Sequence, residues 1–250
     1  MVNGFQLTAN SNLNKLPDNA PLDVVFQDEF LIAINKPHGL LVHKSSIAND
    51  TDQFAVQILR DQIGQRVYPL HRLDRKTGGI LLFALLEELN GIMQKQFSEN
   101  RIKKQYQAIV RGYTPDEMEI DYPLKRDDGV VQEAFTRFST LDRVETSFSV
   151  GKHPTSRYSH ILLQPETGRM HQLRKHMAHV FHPIIGDRPH GCNKQNKFFL
   201  DHFQMNTMLL HASRLDFVHP VTQTPVTIEA EFQPEFRRMY QTLGFSESRP

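Results

Sequence analysis

One loop and the strand after it organise this chain of 250 residues: His71-Arg72-Leu73-Asp74-Arg75-Lys76-Thr77-Gly78-Gly79, followed at once by the apolar run 80–86. The loop places one carboxylate among basic and imidazole side chains. Nearby positive charge favours the ionised form of a carboxyl group, and the same cations attract phosphate. The apolar run has the length of a buried strand. The segment therefore predicts a rigidly held, ionised Asp74 that does chemistry on a nucleotide without a metal.

Outward from this segment, short apolar runs alternate with a few helical patterns. The mixture predicts an α+β fold with a central, mainly antiparallel mixed sheet and flanking helices, because regular βαβ units are not apparent. Strands are predicted at 24–26 and 30–35, which form a hairpin, and at 104–110, 134–141, 158–164, 209–218 and 226–231. Helices are predicted at 54–63, across 89–97, at about 168–180 and at 234–243.

The composition is that of an ordinary globular protein, with 39% hydrophobic and 23% charged residues and a net charge of +1. A single cysteine, Cys192, excludes an intramolecular disulfide and a multi-cysteine zinc site. No apolar run approaches the roughly 20 residues that span a bilayer, and residues 1–20 are polar and unlike a signal peptide. We expect a cytoplasmic protein with a flexible tail at 1–20 and a single catalytic domain at 21–250.

Positive charge is concentrated in parts of the chain. Residues 151–197 contain eight lysines and arginines but only two acids, a surplus of six positive charges, together with seven histidines. Such a concentration indicates a basic face of the kind that binds nucleic acid. The alternative is that these charges point in several directions from a solvated surface.

Three side chains are candidates for chemistry, and each has a simpler alternative. Asp74 is either a catalytic carboxylate or a turn residue ahead of Thr77. Arg174 lies beside the apolar stripe of its predicted helix, where it could bind a carboxylate bidentately or face solvent. Tyr106, on a predicted strand with Lys104, could stack on a base or pack in the core.

Four histidines, at positions 171, 176, 179 and 182, raise the question of a metal site. The usual catalytic zinc pattern of two histidines at i, i+4 with an adjacent Glu is absent. Phosphate contacts or packing at a helix end explain these histidines more simply, so no metal is predicted. No P-loop or dinucleotide-binding glycine pattern occurs either, so no cofactor is expected.

Four segments in a fixed order resemble the RluA-type pseudouridine synthases, and the resemblance covers roughly residues 22–230. They are residues 30–43 (FLIAINKPHGLLVH), 71–79 (HRLDRKTGG), 104–112 (KQYQAIVRG) and 168–174 (GRMHQLR). Four ordered motifs are more specific than any one of them. Further segments, at 61–65, 154–158 and 182–191, are similar to a branch of the family that modifies uridine 65 in the T-stem of tRNA.

The resemblance implies the pseudouridine synthase fold, an active-site cleft and the isomerisation of uridine to pseudouridine in tRNA, without cofactor or metal. Asp74 would be the catalytic carboxylate, acting on the sugar as a nucleophile or as a base at C2′. Arg174 would pair with Asp74 and keep it ionised. Tyr106 would stack on the target base and help to remove the C5 proton.

Arg72 would help to hold the target nucleotide out of the stack, since a stacked uridine cannot expose both C1′ and C5. The other side chains expected to contact RNA are His71, Arg75, Lys76, Lys104, Arg169, His171 and Gln172. Besides tRNA, the resemblance implies no membrane and no obligate protein partner, which is compatible with a monomer. The alternatives are a ribosomal RNA substrate, a non-catalytic RNA-binding module and a metal hydrolase built on the histidines.

Overall fold

The computed structural model describes residues 20–44 and 52–246, and this part of the chain contains twelve strands and five helices. The strands are β1 (Val24–Gln27), β2 (Leu31–Lys36), β3 (Tyr68–Pro69), β4 (Gly78–Ala84), β5 (Lys103–Arg111), β6 (Glu117–Asp121), β7 (Leu124–Lys125), β8 (Val131–Gln132), β9 (Phe135–Thr146), β10 (Ser156–Pro165), β11 (Leu210–Val218) and β12 (Pro225–Glu229). The helices are α1 (Ala55–Ile63), α2 (Leu89–Ser98), α3 (Gln172–His179), α4 (Asn193–Phe203) and α5 (Pro234–Leu243).

Ten of these strands form one mixed sheet. Its main path runs β1-β2-β4-β11-β5-β10-β9-β6, and β3 and β12 attach to β4 and β11. The pairing of β4 with β11 is parallel and every other pairing in this sheet is antiparallel. The observed architecture confirms the predicted α+β fold with a mainly antiparallel mixed sheet.

Strand β4 lies inside the molecule because helices cover both faces of the sheet. All seven of its residues are buried. Leu81 and Phe83 pack in a core cluster with α1, whereas Ile80 and Leu82 belong to a second cluster with α2 on the opposite face. A strand that is buried on both faces has no polar alternation, which explains the continuous apolar run in the sequence.

The other half of the sheet repeats this arrangement. Helix α3 packs on the face that carries α1, and α4 and α5 pack together on the other face. Tyr106 on β5 contacts both the α1 cluster and the α3 cluster, so it lies where the two meet. The strands thus position the centre of β5 beside the loop that precedes β4.

The predicted elements depart from the structure in several places, and the short strands β3, β6, β7 and β8 were not predicted. Helix α3 begins at Gln172 rather than near 168, because Gln172 binds the backbone of Arg169 and holds the preceding residues in a loop. Helix α4 was not predicted, and β9 extends to Thr146, beyond the predicted 134–141. Nearly all of the predicted tail at 1–20 lies outside the described residues. None of the five helices is long and apolar enough to cross a bilayer.

Candidate active site

A cleft of about 520 Å³ opens beside the loop that contains Asp74. Its walls come from that loop, the end of α2, strand β5 and the start of α3. The polar side chains that line it include Arg72, Asp74, Thr77, Lys104, Tyr106, Arg169, His171 and Arg174. The structure therefore brings together the three predicted catalytic side chains, which are 32 and 68 positions apart in the sequence.

The loop that carries Asp74 is fixed by its backbone. Thr77 N donates to Asp74 O at 3.0 Å, which closes the turn. Lys36 is fully buried beneath it, where its Nζ donates to the carbonyl oxygens of Arg75, Pro37 and Leu40 at 3.2, 3.0 and 2.9 Å. Burial lowers the pKa of Lys36 to about 7. The turn role that the sequence allowed for Asp74 is real, but it occupies the backbone and leaves the side chain available.

Arg174 joins two carboxylates. Its Nη1 contacts Asp74 Oδ2 at 2.8 Å, and its Nε and Nη2 bind both oxygens of Asp187 at 2.9 and 2.7 Å. Asp187 is 1% exposed and Asp74 is 31% exposed. The buried Asp187 thus anchors the guanidinium by a bidentate pair, and the remaining face of the guanidinium holds Asp74 at the cleft.

Sequence reasoning assigned no role to Asp187. One signal was available, since it is one of only two acids in the strongly basic segment 151–197. It follows Gly186, which has a positive φ of 83° and lies against the backbone of Thr207, where a Cβ would overlap Thr207 O. The tight turn at Gly186 directs Asp187 inward toward Arg174.

Tyr106 lines the cleft from β5 and is packed against the core on either side. Burial, together with the negative charge of Asp74, raises the pKa of the Tyr106 hydroxyl. The phenol therefore keeps its proton at neutral pH. Its ring can provide an apolar surface on which a base could lie.

His171 connects the cleft to a second histidine. It precedes α3 in the left-handed conformation, with a φ of 56°. Its Nδ1 is 3.0 Å from Nε2 of His190, and its own Nε2 is 3.8 Å from Oδ1 of Asp74. Burial lowers the pKa values of both histidines. A neutral His171 beside Asp74 can donate or accept a hydrogen bond, depending on its tautomer.

Arg72, Lys104 and Arg169 line the cleft as cations. Arg72 is exposed. Lys104 Nζ lies 3.4 Å from Thr167 O, and Arg169 Nε donates to Glu133 O at 3.0 Å. These three side chains leave positive charge facing the cleft, as a nucleic-acid substrate requires.

His71 and Gln172, which the sequence placed among the RNA contacts, are engaged within the protein. His71 Nε2 accepts a hydrogen bond from Leu82 N at 3.0 Å, and burial beside Lys104 lowers its pKa to about 4. The side-chain amide of Gln172 binds Thr167, Arg169, Phe135 and Thr136 at 2.7–3.0 Å. Both line the cleft, but their polar atoms position its walls.

Arg75 and Lys76 do not line this cleft. Arg75 Nε donates to Gly39 O at 3.0 Å, which ties the loop to the turn after β2. Lys76 Nζ donates to Asn206 O at 2.6 Å and lines a second cavity of about 340 Å³. The two cations are thus separated from Arg72, although all three belong to one loop.

The histidines that raised the question of a metal point to different neighbours. His176 binds Thr136 Oγ1 and Tyr122 O, His179 stacks on the ring of Tyr122, and His182 binds Arg111 O. Within residues 20–44 and 52–246, no group of three or more His, Cys, Asp or Glu side chains is arranged to hold a metal ion.

A carboxylate held by an arginine in a cationic cleft, with an aromatic ring beside it, fits an enzyme that acts on a nucleotide within RNA. The comparisons with known proteins specify this class further. The model of the RNA pseudouridylate synthase family matches residues 30–179. The chain belongs to this family of isomerases. The matched residues contain all four of the ordered sequence motifs.

Individual relatives are similar in sequence to this protein over most of the chain. A protein from Vibrio vulnificus named tRNA pseudouridine synthase C is 46% identical over 231 residues, which cover 88% of this chain and 94% of the relative. A protein of the same name from Pasteurella multocida is 49% identical over 218 residues, covering 83% and 90%. The structure of human RNA pseudouridylate synthase domain containing 1 superposes with a TM-score of 0.71 at 22% identity, covering 93% of this chain and 98% of that one. This likeness confirms the fold.

Proposed function

We propose that this protein converts uridine 65 in the T-stem of tRNA to pseudouridine, with Asp74 as the catalytic carboxylate. The observation that carries the proposal is the Asp74–Arg174 ion pair, which presents a partly exposed carboxylate to a cationic cleft. Support for tRNA comes from the names of relatives that are more than 40% identical over nearly their whole length. The cytoplasm is the corresponding location.

In the reaction the C1′–N1 bond breaks, the base turns, and a C1′–C5 bond forms while C5 loses a proton and N1 gains one. Asp74 acts on the sugar, either by attack at C1′ or by removal of a proton at C2′. Arg174 positions the carboxylate. Tyr106 supports the base and helps to remove the C5 proton later in the cycle. The proposal involves no metal or cofactor, because nucleophilic and acid–base side chains can carry each of these bond changes.

The target nucleotide must leave the helix stack to reach Asp74. Arg72 is exposed at the cleft and projects from the same loop, two positions before the carboxylate. We assign it to the space that the flipped uridine vacates. Lys104 and Arg169 bind the phosphates on either side of that nucleotide.

The substrate is tested by incubating the purified protein with unmodified tRNA transcripts and mapping pseudouridine chemically. We expect product at position 65, no product when that position is cytidine, and no product in fragments of ribosomal RNA. Modification confined to ribosomal RNA would overturn the tRNA assignment. Salt-sensitive binding of every RNA without any product would indicate a module that binds RNA without catalysis.

A further inference from the structure

The second cavity, of about 340 Å³, lies between the loop that contains Lys76 and the start of α4. Cationic side chains reach it from three segments of the chain: Lys76, Arg188 and Lys197. Lys197 pairs with Asp201 at 2.9 Å on the exposed surface. Arg188 makes no hydrogen bond or ion pair with any residue that the structure describes. Positive charge therefore exceeds negative charge around the cavity.

Two further features favour an anion there. Thr207 lines the cavity and is 4% exposed, yet its Oγ1 has no hydrogen-bond partner among the described residues. A buried hydroxyl without a partner is unfavourable, and a phosphate oxygen in the cavity could supply the missing hydrogen bond. In addition, Cys192 gives the N-terminus of α4 no side-chain cap, which leaves first-turn N–H groups free for an anion.

We propose that this cavity binds a backbone phosphate of the substrate RNA, at a nucleotide other than the one in the reaction cleft. The proposal rests on the proposed function. A phosphodiester fits the donors present, namely Lys76, Arg188, Thr207 Oγ1 and the helix N-terminus. No aromatic residue is among those lining the cavity, so it offers no platform for a base and selects the backbone instead.

The position of this subsite ties it to the reaction. Lys76 is two residues after Asp74, and Arg188 directly follows Asp187, which binds Arg174. A phosphate held between Lys76 and Arg188 is thereby placed at a fixed distance from the catalytic carboxylate. The subsite would set which nucleotide along the strand enters the cleft, since phosphate contacts fix register.

The test compares Arg188→Ala and Thr207→Val with the control Lys194→Ala. Lys194 is an exposed lysine on α4 that does not line the cavity. We expect Arg188→Ala to raise KM and Kd for tRNA roughly tenfold, the size of a charge-assisted contact. The slope of log Kd against log salt concentration should decrease by the amount that about one phosphate contact contributes. Thr207→Val should weaken RNA binding without loss of stability, and Lys194→Ala should change neither quantity.

Three outcomes would overturn the subsite. The first is unchanged RNA affinity in both cavity variants, and the second is an equal loss in Lys194→Ala, which would indicate diffuse charge. The third is a rise in Tm with inorganic phosphate that Arg188→Ala abolishes while RNA affinity stays normal, which would assign the cavity to free phosphate. Wild-type turnover in the same assay judges the proposed function separately, because Kd remains measurable without catalysis.

Discussion

Arg174 binds two carboxylates that differ greatly in exposure, and the difference assigns them different tasks. Among the residues that the structure describes, the buried Asp187 forms an ion pair only with Arg174, so its charge is balanced mainly by that guanidinium. Asp74 faces the cleft and keeps an open side. The position of the Asp74 carboxylate at the cleft therefore depends on the buried Asp187, which anchors Arg174 from behind.

Replacing Arg174 tests this dependence. Arg174→Ala leaves Asp187 charged and buried, so we expect the free energy of unfolding to fall by about 3–5 kcal/mol and turnover to be lost. The double variant Arg174→Ala, Asp187→Ala should recover part of that stability while turnover stays absent. Urea denaturation checks both, and unchanged stability of the single variant would contradict the account.

Tyr106 and Asp74 are coupled by charge, which suggests an order of events. Burial and the Asp74 charge together raise the pKa of the Tyr106 hydroxyl. Once Asp74 is bonded to the sugar or protonated, the electrostatic part of that effect disappears. The pKa of the Tyr106 hydroxyl then falls, so the phenol gives up its proton more easily, and we propose that it takes part at C5 in its deprotonated form after the step at the sugar.

For Tyr106→Phe we expect nearly normal tRNA affinity, because the ring remains, and a turnover reduced by about 10²–10⁴-fold, as for a lost acid or base. Deuterium at C5 of the target uridine should slow this variant more than the wild type. Tyr106→Leu should lose RNA affinity as well. A Phe variant with wild-type turnover would remove the hydroxyl from the reaction.

At the scale of elements, the close approach of β4 to β11 fixes the loop before β4. Gly79 has a φ of 104°, and a Cβ there would overlap the backbone of Ala212, its partner on β11. A side chain at this position would force the two strands apart. The loop with Asp74, only five residues earlier, would move with β4.

Gly79→Ala should therefore lower the free energy of unfolding by roughly 3 kcal/mol or more, with loss of activity. The matched control is Gly91→Ala on the exposed side of α2, where a Cβ meets no neighbour. There we expect a gain of about 0.5–1 kcal/mol, because alanine favours helix. Equal effects of the two substitutions would show that the approach of β4 to β11 is unimportant.

The sequence predicted elements well where their apolar pattern is strong and poorly where it is weak. Strand β4 and helix α2 show clear patterns and appear where expected. Helix α4 was missed because it buries only Gln195 and Phe199, too few positions to reveal a periodic stripe. The start of α3 was placed too early because Gln172 binds the loop before it, a contact that helical spacing does not reveal.

The candidate site was predicted in part for a similar reason. The resemblance to a family brought Asp74, Tyr106 and Arg174 together, and the structure places them around one cleft. Their catalytic roles remain predictions. Asp187 was missed since its task depends on a contact 13 positions away in the sequence. Pattern and spacing indicate which side chains share an element, but they do not indicate which ones meet between elements.

At the scale of the whole molecule, several buried histidines make stability depend on pH. Burial lowers the pKa of His71, His160 and His211 from 6.5 to about 4, and that of His38 to about 3. Below pH 6.5 the unfolded chain binds protons at these positions and the folded protein does not. The folded state therefore loses stability as pH falls from 6.5 toward 4.

We expect the free energy of unfolding to decrease by about 1.4 kcal/mol per pH unit for each of these histidines in that range. His160→Gln should reduce the change in unfolding free energy per pH unit by the contribution of one histidine, since it removes one titrating group. Urea denaturation at pH 7, 6 and 5 measures the effect. Stability that stays constant from pH 7 to pH 5 would show that these histidines are not buried in neutral form.

Asp74→Asn tests the central claim most directly, in an assay of tritium released from C5 of uridine in tRNA. The amide keeps the shape of the side chain but cannot act as nucleophile or base, and Arg174 stays neutralised by Asp187. We predict tritium release at least ~10³-fold slower than wild type, with tRNA affinity and unfolding free energy nearly unchanged. Release at the wild-type rate would contradict the assignment of Asp74 as the catalytic carboxylate.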